Sequence, residues 1–260
     1  MFDFFKVQKV RVEEKKVTIK EDFQNIDPLC EYFKKETGID FENQKVVLKS
    51  KVATICKTHK IFSFSRCMEE IETNYDFKQE LINYLTTNES FFYREFHQIE
   101  ELVQKVKASY GSVKILCAPS ANGEEPYSIA IALFDAGLGA DKFHITGIDI
   151  SSNAIAKSKE AIYNQKALRH LNEKILNNYF SKKSNLYHLD DKVKNQVDFQ
   201  CINIFEKEFE LLGKFDYIFS RNMLIYFDYP TRRRAHALFI KHLKNPEEEI
   251  FFGHADLPNI

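Results

Sequence analysis

Short apolar runs bounded by polar turns mark the second half of the chain, and apolar positions at helical spacing mark the first half. Val113 to Cys117 carries a single lysine among apolar residues and suits a buried parallel strand. Ala118 to Gly123 is a loop of small residues. Glu124, Glu125 and Pro126 then open a mostly apolar helix that continues through Phe134. Proline fits the first turn of a helix, and acids there complement the positive end of its dipole. FHITGIDIS predicts a second strand that ends at Asp149, followed by a helix with Ser151 or Ser152 as its cap. VDFQCINIFEK predicts a third, ending near Asn203. Phe215 to Phe219 predicts a fourth, with Ser220, Arg221 and Asn222 at its carboxyl end. TRRRAHALFIKHLK reads as an exposed basic helix and EIFFGHADLP as a late strand.

Residues 25–85 carry the helical pattern. Asp27 and Pro28 look like an N-cap and first helical residue, and Gly38 like the C-cap. A second helix spaces Lys45, Lys49, Lys51, Lys57 and Lys60 along its length. Those lysines suit either a solvated face or a contact for an acidic partner. CMEEIETNYDFKQELINYL predicts one further helix, completing a small bundle. In TTNESFFYREFH, Thr87 or Asn88 is a candidate cap for a helix running on through Glu100 to Ala108. Arg94 stands there among Phe91, Phe92, Tyr93 and Phe96, and a partly buried arginine needs an anionic partner from protein or ligand.

The loop at 118–123 is not a dinucleotide fingerprint, because it holds one glycine where that motif has three. Its two glutamates add negative charge where a phosphate needs donors, so a cationic or hydroxyl-rich ligand fits better. On pattern alone the unit could also be purely structural. Asp149 lies about one strand-helix-strand repeat further on, where an acid accepts both ribose hydroxyls, although a strand-end aspartate also serves as a helix cap. Polar residues at three successive strand ends point to a crevice at the carboxyl edge of a parallel sheet.

At 260 residues, the chain has room for one large domain plus a small helical one. It is 44% apolar and 29% charged, with a net charge of -1, which excludes general nucleic-acid binding. No run is long and apolar enough to span a bilayer. Five scattered cysteines without a C-x-x-C pair fit a reducing, cytoplasmic setting and indicate no metal site.

TTNESFFYRE, NGEEPYSIAIAL, GIDIS, INIFEK and FDYIFSRNMLIYFD followed by FFGHAD, in this order, resemble the CheR-type chemotaxis receptor methyltransferases over about residues 25–258. The resemblance implies an α/β fold, a Rossmann-like, doubly wound S-adenosylmethionine-binding domain over 88–260 with a small inserted β-subdomain at about 178–199. An all-α domain over 25–87 and an extension over 1–24 would precede it. It further implies methyl transfer from S-adenosylmethionine, with S-adenosylhomocysteine as product, to glutamate side chains on the cytoplasmic helices of methyl-accepting chemotaxis receptors. By motif, Asn88, Ser90 and Arg94 would lie over the cofactor's methionine end and reacting methyl. Ala118 and Glu125 would line the cofactor, and Asp149 would take the ribose. Asn203 and Ile204 would flank the adenine, with Arg221 and Asn222 nearby. Tyr226 would face the reaction centre, and Arg94 and Tyr226 would orient the acceptor.

Ser90 stands where the family usually has threonine, Asn122 replaces the threonine before the loop glycine, and Pro119 stiffens the turn. The hairpin around 181–196 lacks the glycine-containing tip of members that dock on a receptor's C-terminal pentapeptide, which puts pentapeptide tethering in doubt. The family usually continues past FFGHADLP into a closing strand, so either that edge strand is expected to be missing or the sequence is a piece of a longer one. The competing readings are a methyltransferase acting on another protein or a small molecule, and a non-catalytic module that binds S-adenosylmethionine.

Overall fold

The computed structural model describes residues 21–245 and 249–256. The expected extension over 1–24 therefore lies outside the described residues except for 21–24, where Asp22 bridges to Ser63. Helices α1 (Asp27–Thr37), α2 (Lys45–Thr58), α3 (Phe64–Thr73) and α4 (Tyr75–Leu85) pack around Leu29, Phe33, Leu48, Val52, Phe77 and Leu81. Helix α1 starts at Asp27 itself, with Ile26 as the flanking residue. It ends at Gly38, whose φ of 79° is left-handed and whose added Cβ would meet the Phe205 ring at 2.5 Å, so glycine is required there. The single helix expected over 67–85 is two. Asn74 is extended (φ -122°, ψ 99°), and its side chain accepts the Phe77 N–H at 3.1 Å, so it closes α3 and caps α4.

The helix expected to run on from Thr87 or Asn88 begins only at Phe96, as α5 (Phe96–Ala108). Tyr93 and Glu95 have φ of 59° and 48°, a left-handed conformation that a right-handed helix cannot contain. Tertiary bonds hold this segment instead: Phe92 N–H donates to the Ala167 carbonyl (2.9 Å) and Tyr93 N–H to Ser128 Oγ (3.0 Å).

From there strands and helices alternate as β1 (Val113–Cys117), α6 (Glu124–Asp135), β2 (Phe143–Asp149) and α7 (Ser152–Glu160), the last capped by Ser151. The chain continues through β3 (Ile162–Asn164), α8 (Glu173–Tyr179), β4 (Phe180–Lys183), β5 (Leu186–Leu189) and α9 (Asp191–Lys194). It then runs through β6 (Val197–Cys201), α10 (Lys207–Glu210), β7 (Tyr217–Ser220), α11 (Tyr229–His242) and β8 (Ile250–Phe252). The main sheet has the order β6-β2-β1-β7-β8 and is parallel throughout. Strand order reverses at β1, which opens a crevice at the carboxyl ends beside it. The antiparallel β3-β5-β4 sheet is the insert. It starts at Ile162, earlier than the sequence suggests, because a three-residue strand is too short to carry an alternating pattern.

The helical region is fastened over this edge of the sheet. Gln79 Nε2 donates to the Ile150 carbonyl (3.0 Å), Asn83 Nδ2 to Ser152 Oγ (2.9 Å) and Asp40 N–H to the Tyr226 carbonyl (2.8 Å). Lys34 pairs with Asp228 at 2.7 Å. No helix among the described residues is long and apolar enough to cross a membrane.

Candidate active site

A cavity with about 1100 Å³ of empty volume, counted to its open mouth, lies between the helical region and the carboxyl ends of β1, β2, β6 and β7. Its sheet side includes Ala118, Pro119, Ile148, Asp149, Asn203 and Ile204. Its other side comes from the helical region, with Ile39, Phe41, Val47, Leu48, Lys51 and Leu85. Short βα loops after a parallel strand leave backbone and polar side chains facing such a crevice, and the apolar helices above it exclude water.

The loop after β1 is held by its neighbours. Asp149 is 4% exposed and accepts N–H groups from Ala121 (3.0 Å) and Ser151 (2.8 Å), so one carboxylate ties this loop to the start of α7. Burial pushes its pKa up to about 6, against the pull of those N–H groups. Gly123 ends the loop at φ 92°, with the Tyr163 hydroxyl 3.0 Å from where a Cβ would sit. Asn122 Nδ2 donates to the Asn88 carbonyl (2.9 Å) and so joins the loop to the 86–91 segment.

The two acids that open α6 are buried. Burial lifts Glu124 to about 7. It also raises Glu125, opposed first by Arg221. Arg221 is 5% exposed and its Nε donates to Glu125 Oε2. Arg221 also donates to Gln98 Oε1 (3.2 Å). Glu125 Oε1, Glu124 Oε2 and Asn122 Oδ1 are buried and have no hydrogen-bond partner. None of the three lines the cavity, but they follow directly on the cavity-lining Ala121, and unpaired acceptors there favour a ligand that brings donors. A phosphate, which brings acceptors, would leave them as they are.

The residues expected from the sequence separate into two groups. Asn88, Ala118, Asp149, Asn203, Ile204, Asn222 and Tyr226 line the cavity. Ser90, Arg94, Glu125 and Arg221 do not. Glu125 and Arg221 form the buried pair beneath it, and Arg94 is half-buried with its guanidinium 5.5 Å from the Phe91 ring centre. Asn203 spends much of its amide on the fold, donating to the Glu36 carbonyl (2.6 Å) and accepting the Phe205 N–H (3.0 Å). Tyr226 is 37% exposed at the rim.

Two features escape a reading of the sequence. Nearly half the wall comes from the helical region, and its apolar members, such as Leu48 and Leu85, are indistinguishable in sequence from bundle core. Asp256, 0% exposed, accepts the N–H groups of Asn222 and Ile225, the latter at 3.1 Å. It thereby folds the 221–226 loop, in which Asn222 has a left-handed φ of 60°. An aspartate after a late strand gives no sign of that partner in sequence.

Residues 88–258 match the family model described as "CheR methyltransferase, SAM binding domain". The chain belongs to the CheR methyltransferase family. It is 32% identical to a chemotaxis protein methyltransferase of Campylobacter jejuni subsp. jejuni, over 94% of this chain and 92% of that protein. It is 30% identical to the chemotaxis protein methyltransferase of Salmonella typhimurium, over 88% and 82%. Against chemotaxis protein methyltransferase 2 of Vibrio cholerae the identity is 34%, over 87% and 83%. The CheR chain is thus an S-adenosylmethionine-dependent methyltransferase. The donor-seeking acceptors fit this cofactor, whose ammonium brings N–H donors and whose sulfonium is cationic.

Proposed function

We propose that the enzyme transfers methyl groups to glutamate side chains on the cytoplasmic helices of methyl-accepting chemotaxis receptors, forming methyl esters, and works in the cytoplasm. The observation that carries this reading is the convergence of Asn88, Asp149, Asn203, Asn222 and Tyr226 on one cavity in a chain of this family. S-adenosylmethionine supplies the activated methyl group when bound. The acceptor carboxylate is already ionised near neutral pH, so no general base is required. The protein must align the carboxylate and strip its water, and alignment alone can supply several kcal/mol of the barrier. Arg94 and Tyr226 are assigned to orient the acceptor. Ser90 and Asn88 are assigned to the cofactor's methionine end, and Ile204 and Asn203 to its adenine.

Of the α2 lysines, Lys45 is paired with Asp27 and Glu42 (2.9 and 2.8 Å) and Lys57 with Glu21 (2.7 Å), whereas Lys51 stands in the cavity wall. The β4–β5 hairpin turns at Ser184 and Asn185 without a glycine, which supports docking that does not use a pentapeptide tether.

Labelled methyl transfer to receptor membranes, followed by mild base, tests the reaction. Volatile methanol is expected, since a glutamate ester is base-labile. A base-stable product, or cofactor binding with no transfer, would overturn the assignment.

Asp149→Ala is expected to weaken cofactor binding by about 1–3 kcal/mol through lost ribose hydrogen bonds. Ribose hydroxyls donate best to the ionised carboxylate. With its pKa raised to about 6, Asp149 is protonated increasingly below that pH, so wild-type affinity should fall as pH drops from 7 to 5. Calorimetry that finds unchanged affinity in the variant, or a flat pH profile in the wild type, would contradict the ribose assignment.

A further inference from the structure

Outside the cavity, a cationic cluster gathers around Phe91, and of its members only Arg94 has a role so far. Phe91 lies on the segment between the cavity-lining Asn88 and Arg94. The Arg169 guanidinium sits 3.6 Å from the Phe91 ring centre and that of Arg94 5.5 Å. The His170 ring is 4.9 Å away at 33°. Arg169 and His170 are exposed and belong to the stretch between β3 and α8, which arises from the insert and not from the cofactor-binding loops. Lys166 of the same stretch pairs with Glu89 at 2.8 Å. Among the described residues, neither Arg94 nor Arg169 has a carboxylate within ion-pair distance. The Arg169 guanidinium donates to the Lys166 carbonyl (2.8 Å).

Two arginines and a histidine around one half-buried aromatic ring make a platform whose outer side, Arg169 and His170, is exposed, and stacking fixes the Arg169 guanidinium at little further entropic cost. The platform shares Arg94, the residue assigned to orient the acceptor. That arginine also pulls against the burial-raised pKa of Glu125 beneath the cavity.

We propose that the Arg169–Phe91–His170 platform is the docking surface for the acidic helical segment that flanks the acceptor glutamate. The inference rests on the receptor-methylation reading and deepens it. Charge complementarity selects the occupant, because a segment bearing several acceptor carboxylates presents negative charge on either side of the one in reaction. Rim charges of this kind act mainly on encounter and on salt dependence, and leave the chemical step alone.

The test compares wild type, Arg169→Glu and Arg169→Lys in methylation of receptor membranes, with cofactor affinity measured by calorimetry on each. Arg169→Glu is expected to raise KM for membranes about tenfold or more, with cofactor affinity unchanged, and to flatten the salt dependence of KM. Arg169→Lys should keep most of the wild-type KM. A wild-type KM in Arg169→Glu would overturn the proposal. So would a cofactor affinity that falls along with receptor methylation, because Arg169 would then only support the fold. Failure of the underlying reading would show itself separately, as absence of methyl transfer to membranes by the wild type, and would remove this proposal with it.

Discussion

Arg94→Ala is expected to lower turnover by about 10²-fold or more while cofactor binding stays measurable. Arg94 is half-buried, carries no ion pair among the described residues, lies 5.5 Å from the Phe91 ring centre, and its charge weakly lowers the pKa of the buried Glu125. An arginine spent on structure would be paired, as Arg221 is. An arginine whose fork is left open can take a carboxylate in two parallel hydrogen bonds and set its direction of attack. A tight ground-state bond would raise affinity without raising rate, so the loss should appear in kcat more than in KM. Arg94→Lys should recover only part of it, because an ammonium restores the charge but not the planar fork. Single-turnover methylation of receptor membranes measures the effect. Wild-type turnover in Arg94→Ala would remove the residue from the mechanism.

Arg221→Ala should be the most damaging single change to stability, at about 3–5 kcal/mol. The Arg221–Glu125 pair is buried on both sides, with 2% and 9% of the side chains exposed, so screening by solvent offers no relief. Removing the cation leaves a carboxylate in a dry site with one oxygen already unpartnered. Burial already raises the Glu125 pKa against the pull of Arg221, and without that pull it should rise further. An acid whose folded pKa lies above its unfolded value destabilises the fold increasingly as pH climbs through the interval between them. Urea denaturation should therefore show a larger deficit for Arg221→Ala at pH 8 than at pH 5, and Glu125→Gln combined with Arg221→Ala should remove that pH dependence. An Arg221→Ala protein with wild-type stability at pH 8 would show that the pair holds nothing together.

The strand-loop-helix at 113–134 was legible because each part obeys local rules: an apolar run, small residues, then acids and proline in a first turn. Asp149 was legible as a strand-end acid one repeat later. The split at Asn74 was hidden because apolar residues on either side keep a helical period, while one extended residue is enough to change direction. The segment 86–95 misled for the opposite reason. Its composition suits a helix, but bonds to Ala167 and Ser128 repay two left-handed residues.

By itself, then, the sequence determined the succession of main-sheet strands, the polar strand ends and the acids of the α6 first turn, all of which depend on neighbours a few residues apart. The tertiary structure alone decided that Glu125 meets Arg221 across 96 positions, and that Asp256 folds the Asn222 loop from 34 positions away. It also decided that the helical region supplies nearly half the cavity wall. Burial and pairing between distant segments carry no periodic signature, because a buried carboxylate and an exposed one are the same letter until the chain closes around them.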